Sequence, residues 1–192
     1  MKKTLLISAA LVIVCVLVVA SCQTSRAGYE SAPYKIVLSR GEFELRDYPA
    51  ITVVETAMAG ENGEGSFGRL FGFLSGRNAD QKKIAMTTPV FMAEGEAGRT
   101  MAFVLPADLK AGAVPKPADG SLVVRDVPAG RFAVLRFSGN RGHQRETENL
   151  EKLKSWMVQQ AVRSSVAPVY GYFDPPWTPS FLRRNEVMLR LD

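Results

Sequence analysis

His143 is the chain's only histidine, and that limits the chemistry it can do. One imidazole cannot build a histidine cluster for zinc, and a Ser-His-Asp relay would have to run through this residue alone. It follows Gly142 and stands among Arg141, Gln144 and Arg145, the setting of a solvated helix N-terminus. Axial metal ligand and catalytic base are its alternative roles. No Cys-x-x-Cys, His-Glu-x-x-His, P-loop or EF-hand spacing occurs, so no metal site is expected. Gly63-Glu64-Gly65-Ser66-Phe67-Gly68 has the spacing of a dinucleotide loop. That motif needs a βαβ unit with a parallel strand ending in an acid, whereas here a short helix leads to a segment containing Pro89. A flexible glycine-rich loop is the better reading. Glu186 could act as a base beside Tyr172 or Tyr48 if burial raised its pKa, but Arg183 and Arg184 next to it oppose that shift. The other candidate chemistry is apolar. Met86, Met92 and Met101 with Phe67, Phe71 and Phe73 would form a soft lining that suits a flat aromatic ligand, or ordinary core packing.

Cys22 carries a different chemistry. Lys2 and Lys3 precede an uncharged apolar run from Leu5 to Ala20, and Val19-Ala20-Ser21-Cys22 follows the pattern of a bacterial lipobox. The run is short for a membrane span, so residues 1–21 read as a lipoprotein signal peptide and Cys22 as the lipidated residue. An ordinary secretory signal or an uncleaved anchor are the alternatives. Cys15 would leave with the signal, which leaves no pair for a disulfide. Lys+Arg then falls from 24 to 22 against 19 acids, and the net charge from +5 to +3. So small and mixed a charge argues against nucleic acid as a partner. Gln23, rather than an aspartate, favours the inner leaflet of an outer membrane, facing the periplasm. Residues 22–33 read as a polar tether, and 34–192 as one domain with a core of its own.

These residues need a scaffold, and the chain contains one twice. Leu45-Arg46-Asp47-Tyr48-Pro49-Ala50 returns as Val124-Arg125-Asp126-Val127-Pro128-Ala129. Each copy has strand residues before it (Glu42 to Leu45; Leu122 to Val124) and a strand after it (Ile51 to Thr56; Phe132 to Phe137). Each then reaches a helix. The first runs from about Ser66 to Ser75, with Phe67, Leu70, Phe71 and Leu74 on one face; the second from about Gln144 to Arg163, with Leu150, Leu153, Trp156, Met157 and Ala161. Two strands follow each helix: Lys83 to Met92 and Met101 to Leu105, then Val169 to Phe173 and Glu186 to Leu191. The last alternates as a half-buried strand does. Ala107 to Gly120 is the joint. Neither half can bury its sheet alone, so an α+β fold is expected, a pseudo-two-fold repeat of ββαββ. It would form a distorted antiparallel barrel with two outer helices and a cleft where the halves meet. Between the last two strands, Asp174-Pro175-Pro176-Trp177-Thr178-Pro179 must be a rigid corner, with Trp177 and Phe181 as its apolar anchors.

Together, Lys83 to Val90, Gly76-Arg77-Asn78, Phe137-Ser138-Gly139, Asp174 to Pro179 and Arg183-Arg184-Asn185-Glu186-Val187 resemble the SOUL haem-binding family over residues 34–192. The resemblance implies a barrel of two pseudo-symmetric halves, related to bacterial effector-binding domains. It also implies non-covalent, non-catalytic binding of haem or another tetrapyrrole. The axial histidine proposed for some members falls near Asp47 here. The basic positions of the helix-one patch fall on Glu64 and Gly72, while its apolar positions remain as Phe67 and Phe71. The implied ligand-binding set is Phe67, Arg69, Leu70, Phe71, Leu74 and Met86, with Arg69 as the candidate propionate partner. Two rival functions stay open: a ligand-free interaction module, and a small-molecule hydrolase using Glu186.

Overall fold

The computed structural model describes residues 28–58, 65–95, 98–109 and 111–192. The signal segment, Cys22 and Gly63-Glu64 of the glycine-rich motif lie outside them. Eleven strands and two α-helices follow in order: β1 (Glu30–Ser31), β2 (Lys35–Arg40), β3 (Phe43–Tyr48), β4 (Ile51–Ala57), α1 (Ser66–Leu74), β5 (Thr87–Thr88), β6 (Val90–Gly95), β7 (Gly98–Val104), β8 (Leu122–Val127), β9 (Gly130–Phe137), α2 (His143–Gln159), β10 (Val169–Tyr172) and β11 (Asn185–Arg190). Nine strands form one antiparallel sheet in the order β2-β3-β9-β11-β10-β6-β7-β4-β8. Exchanging β3 with β8, β4 with β9, β6 with β10 and β7 with β11 reverses that order for all strands but β2. A pseudo-two-fold axis therefore passes between β6 and β10, as the repeat requires.

The repeated Arg-Asp-x-Pro-Ala corners explain the curvature. Pro49-Ala50 joins β3 to β4, and Pro128-Ala129 joins β8 to β9. In each case the two strands lie on opposite flanks of the sheet. Two residues cannot span a flat sheet of strands about 4.8 Å apart. The sheet must curl until its flanks meet, which gives a half-barrel.

Strand alternation then sorts the side chains into two layers. Val54, Met92, Phe103, Leu135, Tyr170, Val187 and Leu189 face outward into the main core beneath the helices. Val53, Ala102, Val104, Val134 and Met188 face inward with Tyr48. α1 covers the core with Leu70, Phe73 and Leu74, each burial contributing about 1.5–3 kcal/mol; α2 does so with Leu153, Trp156 and Met157. Trp156 also stacks on Phe43 at 5.2 Å.

Several elements differ from the sequence reading. β11 is buried on both faces, because it is a central strand with a packed layer on either side. The stretch from Lys83 becomes a strand only at Thr87, and the peptide before Pro89 is cis. α2 stops at Gln159; Ala161 lies beyond it, exposed, with a left-handed backbone. The end of the tether belongs to the fold, since Glu30–Ser31 pairs in parallel with Thr87–Thr88 and Ala32 is buried. Trp177 and Phe181 anchor nothing: both project into solvent, and polar contacts hold the corner instead.

Candidate functional site

The face of α1 named above splits in two. Leu70 and Leu74 are buried beneath the helix together with Phe73, so they support the surface rather than line it. Phe67 and Phe71 stay 47% and 49% exposed. Their rings stack 6.0 Å apart at an interplanar angle of 11°, and Phe67 meets the core edge-on at Phe103, 5.2 Å away. Phe103 thus fixes one ring, and that ring aligns the other. Met86 is half-buried against the main core. Arg69 curls back under the helix start: its Nη2 donates to Ala57 O at 2.9 Å and to Ser66 Oγ at 3.2 Å. Its guanidinium would have to leave these acceptors to reach a propionate.

The concave side of the sheet offers a second candidate. Tyr48, Pro49 and Ile51 from one corner and Val127 and Pro128 from the other close over Phe91, Val169 and Met188. The cleft sits on the pseudo-two-fold axis, where the sequence placed it. Its free volume is about 100 Å³, below the ~300–1,000 Å³ of ordinary ligand pockets, because the inward-facing side chains nearly fill it. A tetrapyrrole does not fit there in this conformation.

Beside the cleft, facing the same side, lies a buried ion network that the strand patterning concealed. Arg46 and Glu186 are fully buried. Arg46 Nη1 and Nη2 donate to the two Glu186 carboxylate oxygens at 2.8 and 3.0 Å, and Nε donates to Glu44 Oε2 at 2.6 Å. Nη1 also donates to Tyr48 Oη at 3.0 Å, and the Tyr34 ring lies 4.1 Å from the guanidinium carbon. Arg184 Nη2 adds a second cation to Glu186 at 2.7 Å. Burial alone would lower the Arg46 pKa, but the Glu186 hydrogen bonds and charge hold it above its ordinary value. Burial pushes the Tyr48 phenol up to about 12. Both Glu186 oxygens face guanidinium groups, which is the arrangement of a structural anion and not of a free base. Tyr172 is not its partner: its hydroxyl donates to Glu146, which also binds Arg99.

Iron ligation finds little support. His143 is the exposed first residue of α2, and Asp47, at the axial-histidine position, is a surface residue paired with Arg131 at 2.6 Å. Among the described residues no group of three or more His, Cys, Asp or Glu could hold a metal ion. Among the described residues, Phe67 and Phe71 offer a flat apolar surface, and neither His143 nor Asp47 stands as a buried axial ligand.

Residues 29–190 match the family described as SOUL heme-binding protein. The chain belongs to this SOUL family. The C-terminal domain of EcmrR shares its fold, with a TM-score of 0.60 and 12% identity over 83% of this chain and 98% of that one. A protein from Listeria innocua titled a hydrolase does so too, at a TM-score of 0.59 and 8% identity over 81% and 94%. Likenesses at these identities carry the fold alone. No curated protein sequence matches the chain. SOUL membership supports a small-molecule binding role, and some of the motifs behind it sit at structural corners. Asn78, for example, closes the turn after α1 by donating to Phe73 O at 2.9 Å and Lys82 O at 2.7 Å.

Proposed function

We propose that this SOUL protein binds haem, or another tetrapyrrole or flat apolar molecule, non-covalently on the exposed face of α1 while lipid on Cys22 holds it to the cell envelope. The observation that carries this reading is the parallel, half-exposed Phe67–Phe71 pair, an apolar platform fixed from below by Phe103. A macrocycle laid on it gains aromatic contact on one side and keeps its propionates in water. Haem would supply a planar π-system for Phe67 and Phe71 to hold. Arg69 can swing to a propionate only by giving up Ala57 O and Ser66 Oγ. The lipobox and Gln23 favour the inner leaflet of an outer membrane, with the domain in the periplasm.

Haemin titration followed at the Soret band tests this reading. Saturable one-to-one binding is expected, weakened in Phe67→Ala/Phe71→Ala by about 2 kcal/mol, or roughly thirtyfold, for two aromatic contacts. Equal, non-saturable uptake by both proteins would refute it.

A second reading has its own observation, the apolar cleft on the two-fold axis, which suits a small apolar ligand once Phe91 or Phe132 turns aside. Binding abolished by Ala102→Trp and untouched by the α1 variant would select it.

A further inference from the structure

The segment between β10 and β11 carries the most exposed large aromatic side chains among the described residues, Trp177 at 80% and Phe181 at 71%. It is a stiff frame. Pro175, Pro176 and Pro179 restrict its backbone, and Arg183 Nε donates to Thr178 O at 2.7 Å. The Asp174 carboxylate accepts the Arg184 N–H at 2.6 Å, and the Gly139 N–H donates to Ser180 O at 2.9 Å. A slack loop would fold its rings back onto the barrel. One that fixes two large rings in water keeps an unfavourable surface, which a partner would cover.

The surroundings select the partner. Arg183 Nη1 reaches Asn140 Oδ1 at 3.4 Å, and Arg145 Nη1 donates to Ser138 O at 3.2 Å. The Arg141 guanidinium lies 4.4 Å from the centre of the Tyr172 ring. None of these partners is charged. Glu146, which acts on Arg141 electrostatically, is already held by Arg99 and Tyr172. Exposed aromatic rings beside arginines match the headgroup layer of an anionic bilayer, where amphipathic rings settle and guanidinium groups pair with phosphate. Position agrees: Arg184 Nη2 donates to Tyr34 Oη at 3.2 Å, so the N-terminal segment enters the domain beside this loop. Residues 23–34, even fully extended, span at most about 40 Å.

We propose that the 174–184 loop docks on an anionic lipid surface, with Trp177 and Phe181 in the headgroup region and Arg141, Arg145 and Arg183 facing lipid phosphates. The proposal rests on the membrane attachment proposed above, and its test keeps the two apart. The full chain is reconstituted with phosphatidylcholine vesicles, or with vesicles one-third phosphatidylglycerol, and Trp177 emission is read against a Trp177→Phe background that leaves Trp156. Co-flotation with phosphatidylcholine vesicles reports attachment. A blue shift of Trp177 emission, quenched by brominated acyl chains and confined to anionic vesicles, reports docking and is the expected result. Each arginine near such a surface is worth about fivefold. Arg141→Gln/Arg145→Gln should therefore lower the docked-to-free ratio roughly thirtyfold with unchanged circular dichroism. Identical emission in both vesicles, or flotation with neither, overturns the proposal. A shift that follows protein density and ignores lipid charge also overturns it, in favour of a second copy of the chain.

Discussion

Arg46→Met tests the buried network most directly. In the native domain this guanidinium makes two hydrogen bonds to Glu186, one to Glu44 and one to Tyr48, under the Tyr34 ring. Removing it leaves Glu186 with Arg184 on Oε1 only, and Glu44 with Arg136 at 3.4 Å on its other oxygen. One oxygen of each carboxylate then loses its guanidinium partner, and water cannot reach it. Loss of one partner from a buried pair costs about 3–5 kcal/mol, a large share of the roughly 5–15 kcal/mol that holds a domain folded. Glu186→Gln alone should cost about 2–3 kcal/mol, because Arg46 keeps Glu44. The double variant should cost less than the sum by about 2 kcal/mol, since the amide removes one of the uncompensated charges. Urea denaturation of the four proteins, with unchanged m-values, measures the cycle. An Arg46→Met cost below about 1 kcal/mol, or additivity within about 0.5 kcal/mol, would refute the assignment of this network to stability.

The tyrosines set an alkaline limit. Burial holds Tyr48 and Tyr170 neutral, with pKa values pushed up to about 12 from the ordinary 10. The stability they contribute is complete below pH 10 and is lost as pH rises from 10 through 12, at roughly 1.4 kcal/mol per pH unit per tyrosine. Tyr170→Phe should flatten that slope in pH-dependent denaturation; an unchanged slope would refute its burial. At the other end of the chain, Cys22→Ala should move the protein from the membrane fraction to the soluble envelope fraction. Retention would favour an uncleaved anchor.

The fold was legible because two levels of the sequence agreed. The Arg-Asp-x-Pro-Ala repeat fixed the two-fold order of elements, and period-two alternation assigned residues such as Val187 and Leu189 to the core. Alternation failed where it met function-like residues. Glu186 could be read as a buried base, but its pairing with Arg46 was not legible, because no local pattern announces a partner 140 residues away. The one signal at Glu186 was the charge beside it, Arg183 and Arg184, which argued against a raised pKa there. Trp177 and Phe181 misled in the opposite sense, since aromatic residues among prolines read as packing anchors. The α1 face was half legible. Helical spacing grouped Phe67, Leu70, Phe71 and Leu74, but the rotation of the helix, set by the burial of Phe73, decided which of them face water.

The two halves share a plan and differ where it matters. Arg125 is the repeat partner of Arg46, yet it is 46% exposed and bridges Glu55 at 2.6 Å on the rim of the cleft. The reason lies at the sheet edges. β3 is covered by β2, and Tyr34 folds over Arg46, whereas β8 is itself an edge with no equivalent strand beyond it. The additional N-terminal strand thus accompanies the burial of Arg46, while its repeat partner Arg125 stays at the surface with a carboxylate from a different strand. The same segment is the one that leads back to Cys22. Tyr34 therefore touches both the network that stiffens one flank, at Arg46, and the loop that presents Trp177, at Arg184. A pull or a docking event at the N-terminus would act first on that flank. The α1 platform packs on β4 and β7, on the opposite flank of the sheet from β2 and β3, and would keep its geometry.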